Sequence, residues 1–238
     1  GQFKLVHKAL QARQLWLQQA PHLCHQLELL FPIYKGEGRP KWQIALGTKL
    51  YDALARGSGF PKSKWLNANE TLHHSPNLKA HDLLGAYSFF DGQMDDYQLG
   101  LWVIQPIQNL GGQVYTGRPV NSLEELSDYD AIVNATGPWV MKLRAQQPTP
   151  PSIEIDWIRG SHILVNQTLA QALMLPIPNE KRIFFVLPYQ GKTMIGTTEI
   201  RQNQPETESA SMAEIDYLLN SYNHYHQSPL SHSDVCDT

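Results

Sequence analysis

The chain has 238 residues, with 19 Lys and Arg against 22 Asp and Glu, a net charge of −3 and only 17% charged residues. That size and a 42% apolar content fit one or two globular domains with a sizeable core and argue against disorder. The charge balance excludes a strongly basic nucleic-acid binder, which needs an excess of Lys and Arg to meet phosphates. With 20 Gln, uncharged polar groups are expected to cover much of the surface. Apolar runs fall well short of the roughly 18 residues of a membrane span, and no secretory signal is visible. Cys24 and Cys236 are far apart and follow no C-x-x-C spacing, which excludes a disulfide framework and favours a reducing, cytoplasmic compartment. The chain opens on Gly1 and closes on Cys236-Asp237-Thr238. No helix or strand is expected at that end, so the chain is read as trimmed or as missing its natural ends.

Residues 3–19 read as a helix, with Val6, Ala9, Leu10 and Leu17 at helical spacing and Pro21 as a stop. A short apolar segment, 25–31, precedes a loop rich in Gly and Lys. Pro40 opens a second helix over 40–56, with Trp42, Leu46, Leu50 and Leu54 as an i, i+4 row ending before Gly57 and Gly59. Residues 57–85 read as a polar, irregular connector. Asp95 or Asp96 caps a helix carrying Leu99, Trp102, Val103, Ile107 and Leu110 on one face, closed by Gly111-Gly112, with Pro106 kinking or interrupting it. Short strands are expected at 114–116 and at 131–137. Pro148, Pro150 and Pro151 mark a linker and a candidate domain junction. Beyond it come a strand at 161–167 and a hairpin of 182–189 and 192–200 around Gln190-Gly191, where Gly supplies the positive φ of a two-residue turn. Ser211 with Glu214 forms a capping box for a final helix to about His226. The resulting fold class is mixed α+β and α/β, with helices first, then a mostly antiparallel sheet flanked by helices.

Three segments could carry chemistry. Asn134-Ala135-Thr136-Gly137-Pro138-Trp139 ends an apolar run in a small-residue turn, where backbone N–H groups can approach a phosphate unobstructed. An ordinary strand-to-loop turn explains it too. Arg159-Gly160-Ser161-His162 places a cation and an imidazole at a strand start, suited to binding an anion or moving a proton; the alternative is a surface Arg and a hydrogen-bonded His. Gly196-Thr197-Thr198-Glu199 offers hydroxyls that could line a pocket or simply be β-formers. Capping and solvation account for Asp91, Asp95 and Asp96. The histidines at 22/25 and 224/226/232 have no Cys or carboxylate at ligand spacing, so no metal is expected. No G-x-S-x-G, Walker loop or G-x-G-x-x-G occurs anywhere in the chain.

Taken in order, the segments resemble a known family. Leu5 to Leu23, Arg39-Pro40-Lys41-Trp42 to Asp52, Tyr87 to Asp96, and Gly111-Gly112-Gln113-Val114 match its wording. So do Val133-Asn134-Ala135-Thr136-Gly137-Pro138-Trp139-Val140, Ile158 to Ile163, Ile195 to Glu199, and Tyr217 to Asn223. The chain is similar to the central part of the FAD-dependent, respiratory glycerol-3-phosphate dehydrogenases, in the D-amino-acid-oxidase-like flavoprotein superfamily. Departures are Arg159 where Lys is common, Glu199 where Asp is common, and a shorter stretch between Asn121 and Tyr129. The family's G-x-G-x-x-G and its two substrate-side arginine segments have no counterpart in these residues.

The resemblance implies an oxidoreductase of glycerol metabolism that takes hydride from C2 of sn-glycerol 3-phosphate to FAD, gives dihydroxyacetone phosphate and passes electrons to quinone. It implies three regions: 1–85, a helical segment of the FAD and substrate region; 86–145, part of the FAD-binding layer; and 146–238, the substrate-domain sheet with a closing helix. Ala135, Thr136 and Gly137 would approach the FAD diphosphate and Val120 the adenine end. Arg159 and His162, the candidate catalytic residues, would sit on the substrate-side sheet. Family members associate peripherally with the inner membrane, a placement that Lys4, Lys8 and Arg13 on the first helix suit and that a solvated helix face explains as well. The alternative is a catalytically inactive remnant or partner-binding module. Apolar residues such as Ile132 and Val133 at uncovered edges would favour self-association.

Overall fold

The computed structural model describes residues 3–56, 59–147, 155–205 and 209–238. They form two compact units: one of residues 1–100, 161–198 and 209–238, the other of residues 101–160 and 199–208.

The larger unit is built on one eight-stranded sheet. In chain order its elements are α1 (Phe3–Gln19), β1 (Cys24–Tyr34), α2 (Lys41–Leu54), β2 (Lys64–Asn67), α3 (Ala68–His74) and β3 (Leu83–Met94). The first turns of α4 (Asp96–Asn109) also belong to it. After the smaller unit's α5 (Val140–Arg144) and β4 (Trp157–Arg159), it continues with β5 (His162–Val165), β6 (Ala172–Pro176), β7 (Ile183–Tyr189) and β8 (Lys192–Gly196). Beyond β9 (Ile200–Gln202), α6 (Met212–Tyr225) and β10 (Val235–Asp237) complete it. The strand order is β10-β5-β8-β7-β6-β1-β3-β2. Every neighbouring pair is antiparallel except β1 and β6, which run parallel at Leu29 and Leu30.

Alternation along the strands sends one set of side chains to the core. Leu30, Leu173, Leu175, Phe184, Val186, Ile163 and Ile195 pack with Leu218, Tyr222 and Tyr225 of α6. Each such side chain, fully buried, contributes about 1.5–3 kcal/mol. On the opposite face, α2 covers β3: Tyr51 packs edge-on against Phe89 and donates to Phe90 O at 3.1 Å.

The hairpin is as expected. Tyr189 pairs with Lys192, and Gln190 and Gly191 both take positive φ between them. The capping box of α6 is present, with the Ser211 side chain receiving Glu214 N–H and the Glu214 carboxylate receiving Ser211 N–H. Asp95 caps α4 through Gln98 N–H at 3.0 Å, and α4 continues through Pro106.

Four expectations need correction. Residues 57–85 are not an irregular connector, since β2 and α3 lie within them and Asn67 and Glu70 form a reciprocal capping box. The chain does not end without structure: Val235 pairs with Val165, making β10 an edge strand of the sheet. Residues 114–116 and 131–137 are not strands. Val133 is 88% exposed and Tyr115 60% exposed, and a segment without a hydrogen-bonded neighbour has no ladder to complete.

The smaller unit holds the rest of α4, α5, and a two-stranded antiparallel ribbon of β4 and β9. No helix among the described residues is long and apolar enough to cross a membrane.

Candidate active site

The face of β5, β8, β7 and β6 opposite the core is the open one. Cross-strand pairing puts His162, Gly196, Phe185 and Met174 in one row across it. Leu164, Met194 and Leu187 make the next. Apart from His162, which is exposed, and Gly196, which is buried, these residues are half-buried. The surface is therefore broad, apolar and polarisable, with one imidazole at its edge.

His162 lies over its cross-strand partner. A Cβ placed on Gly196 would fall 2.2 Å from His162 Cδ2 and 2.7 Å from Cγ. The outer side of the ring is open while the inner side has lost water, and this desolvation holds the pKa below the ordinary histidine value. A neutral ring near pH 7 keeps one nitrogen as a proton acceptor.

The strand ends around His162 are fixed from α6. Glu214 Oε1 accepts from Ser161 Oγ at 2.8 Å and from Thr198 Oγ1 at 2.9 Å. Its Oε2 accepts from Ser211 N and Oγ. Ser161 N–H also donates to Thr198 Oγ1, and Thr198 N–H to Ser161 O. Thr198, one of the hydroxyls considered as a pocket lining, is thus part of a buried structural network. Arg182 closes the other side of this corner, donating to Thr197 O at 3.2 Å and to Tyr217 Oη at 3.1 Å.

In the smaller unit the small-residue turn is exposed. Asn134 shapes it: its side-chain amide donates to Val140 O, and its Oδ1 accepts from Thr136 Oγ1 at 2.8 Å. Gly137 takes φ +55°, with nothing within 4 Å of where a Cβ would sit. Ala135, Thr136 and Gly137 come together on this turn, exposed. Trp157 Nε1 donates to Pro138 O at 2.8 Å, beside an open cavity of about 290 Å³ lined by Pro138, Trp139, Met141, Lys142, Trp157 and Pro205. Val120 is exposed in the irregular stretch before Ser122. Arg159 sits on β4, paired with Ile200, in the smaller unit, whereas His162 belongs to the larger one.

Sequence reasoning singled out His162 and the capping box but missed what joins them. Gly196 as a bare seat depends on the β5–β8 register, and the hydroxyls on Glu214 come from 16 and 53 residues away.

A profile of the FAD dependent oxidoreductase family (DAO) matches residues 1–236. The chain belongs to that family. Among family relatives it is 31% identical, over 258 residues, to the aerobic glycerol-3-phosphate dehydrogenase of Escherichia coli (strain K12), covering 98% of this chain and 50% of the relative. It is 29% identical to the D-erythritol 1-phosphate dehydrogenase of Brucella abortus (strain 2308), covering 98% and 50%. The fold matches the glycerol-3-phosphate dehydrogenase of Bacillus halodurans, solved in complex with FAD, with TM-score 0.75 at 24% identity over 97% of this chain and 46% of that one. The chain spans about half the length of the curated relatives it matches. The mixed fold, with a mostly antiparallel sheet flanked by helices, is the one the resemblance implied.

Proposed function

We propose that these residues form the substrate-side part of an FAD-dependent dehydrogenase acting on a small polyol phosphate, with sn-glycerol 3-phosphate as substrate and dihydroxyacetone phosphate as product. The observation that carries the reading is the open sheet face, half-buried, apolar and bearing one neutral imidazole, inside a chain that the FAD-dependent family matches over residues 1–236.

The residues present suit FAD. A planar aromatic ring system takes apolar and thioether neighbours such as Phe185, Leu187 and Met194. A diphosphate takes backbone amides on small residues, which the exposed Ala135–Gly137 turn supplies. Ala135, Thr136 and Gly137 would hold the diphosphate and Val120 the adenine end. Bound FAD supplies a two-electron acceptor. Oxidation of the C2 alcohol removes a hydride and the hydroxyl proton, and His162 is the group suited to take that proton. Arg159 supplies a cation of the kind that pairs with a substrate phosphate. Electrons would pass on to quinone, with the protein in the cytoplasm or peripherally at the inner membrane.

The test is an absorbance spectrum of the purified chain before and after addition of excess FAD and desalting, repeated with Gly137→Val. Retained flavin bands, weakened in the variant, support the reading. No retained flavin overturns cofactor binding by these residues. It favours the alternative of a partner-binding module without redox activity.

A further inference from the structure

We infer that Gly196 is a positioning residue, the bare surface on which the His162 imidazole is laid flat and held. The inference deepens the proposed function, because the pose concerns the residue given the proton-accepting role there.

The geometry comes from the β5–β8 ladder. His162 and Gly196 are directly paired and share the open face. Side chains at such a pair normally stand side by side, with Cβ atoms roughly 4.5–5.5 Å apart. Here the ring crosses into its neighbour's place, with Cδ2, Cγ and Nε2 at 2.2, 2.7 and 3.0 Å from the position a Cβ would occupy. Any side chain at 196 would expel it.

Gly196 does not owe its place to a left-handed backbone. Its φ lies outside the left-handed region that favours glycine. It closes β8, paired on both sides, with His162 and with Phe185. A glycine in such a place weakens a strand and marks a close approach. The approaching group is the imidazole.

The surroundings keep the ring there. Leu164, Met194 and Phe185, its neighbours on this face, are uncharged. Ser161, next to His162, and Thr198, two residues past Gly196, are tied to the same carboxylate of Glu214. The strand ends therefore cannot shift to make room for a larger residue without breaking that network. A ring pressed on backbone loses water on one side, which is the cause of its lowered basicity.

The test uses the chain as it is, with no flavin or substrate. Gly196→Ala, His162→Ala and the double variant are compared by urea unfolding. The His162 ring-proton titration is followed by NMR, assigned by the signal missing in His162→Ala. Gly196→Ala should lower the unfolding midpoint, the double variant should recover most of that loss, and the His162 titration should move up toward about 6.5. Additive single effects, or an unmoved titration in a folded Gly196→Ala, overturn the inference. If Gly196→Ala alone does not fold, folding of the double variant supports it and failure of the double variant overturns it. Loss of flavin retention in the unsubstituted chain would strike the functional reading and leave this result standing.

Discussion

Thr198 Oγ1 donates to Glu214 Oε1 at 2.9 Å, joining the end of the central hairpin to the first turn of α6. Glu214 is 3% exposed. Burial pushes its pKa up, but the donors from Ser211, Ser161 and Thr198 outweigh it and hold the value down to about 2. A folded-state pKa below the unfolded value gives stability that is complete above about pH 4.5 and is lost as pH falls toward 2. A shift of this size corresponds to about 3 kcal/mol. Glu214→Gln should lower unfolding stability at pH 7 by about 2–4 kcal/mol and flatten the acid limb below pH 4.5. Urea midpoints at pH 7, 4 and 3 check both parts, and an unchanged acid limb counts against the network.

His226, the residue that follows the last turn of α6, predicts a different window. The ring is 2% exposed and stacks on Tyr222 at 3.7 Å, and Nδ1 donates to Tyr222 O at 2.8 Å. That hydrogen bond fixes the tautomer and leaves Nε2 as a bare acceptor. Burial, chiefly, pulls the pKa down to about 4. The unfolded chain therefore takes up the proton first, and stability declines as pH drops from about 6.5 to 4. His226→Phe should make the decline in that range shallower, leaving the part due to His162, while costing about 1 kcal/mol at every pH for the carbonyl it leaves unpaired. An equal slope between pH 6.5 and 4.5 in both proteins would sink the assignment.

The helices and the hairpin were legible because their signals are local: a capping pair three residues apart, a Gly-Gly stop, a two-residue turn. β1 and β3 were not. Leu29 to Tyr34 is continuously buried, so no alternation betrays a strand, and its partners at 83–94 lie some sixty residues on. Residues 131–137 failed in the opposite way, having strand composition with no paired neighbour. At the site, His162 was legible as a residue type, whereas the space above Gly196 exists only through cross-strand register.

Arg13 predicts how α1 is held. It donates to Tyr51 Oη at 2.6 Å and pairs with Asp91 at 2.8 Å, so one guanidinium joins α1, α2 and β3. Burial raises the Asp91 pKa and Arg13 works against that rise. Arg13→Ala should cost about 1–3 kcal/mol, raise the Asp91 pKa further, and loosen α1. Faster amide exchange in α1 with the central strands unchanged is the expected pattern; unaltered exchange there would show that α1 is held by other contacts.

Exposed apolar side chains predict self-association. Val133 is 88% exposed and Ile132 46% in the smaller unit, and Trp42 and Leu46 of α2 are 65% and 62% exposed in the larger. Trp42, Leu46 and Leu50, of the i, i+4 row that marks the helix in the sequence, lie outside, while α2 turns Tyr51 inward. Apolar rows of this kind favour association when nothing covers them. Sedimentation velocity across a range of concentrations should show species larger than 27.0 kDa. Leu46→Lys and Val133→Lys, made separately, should each shift the distribution toward the monomer if its row takes part. A monomer at every concentration refutes the prediction, and a shift in only one variant identifies the surface that associates.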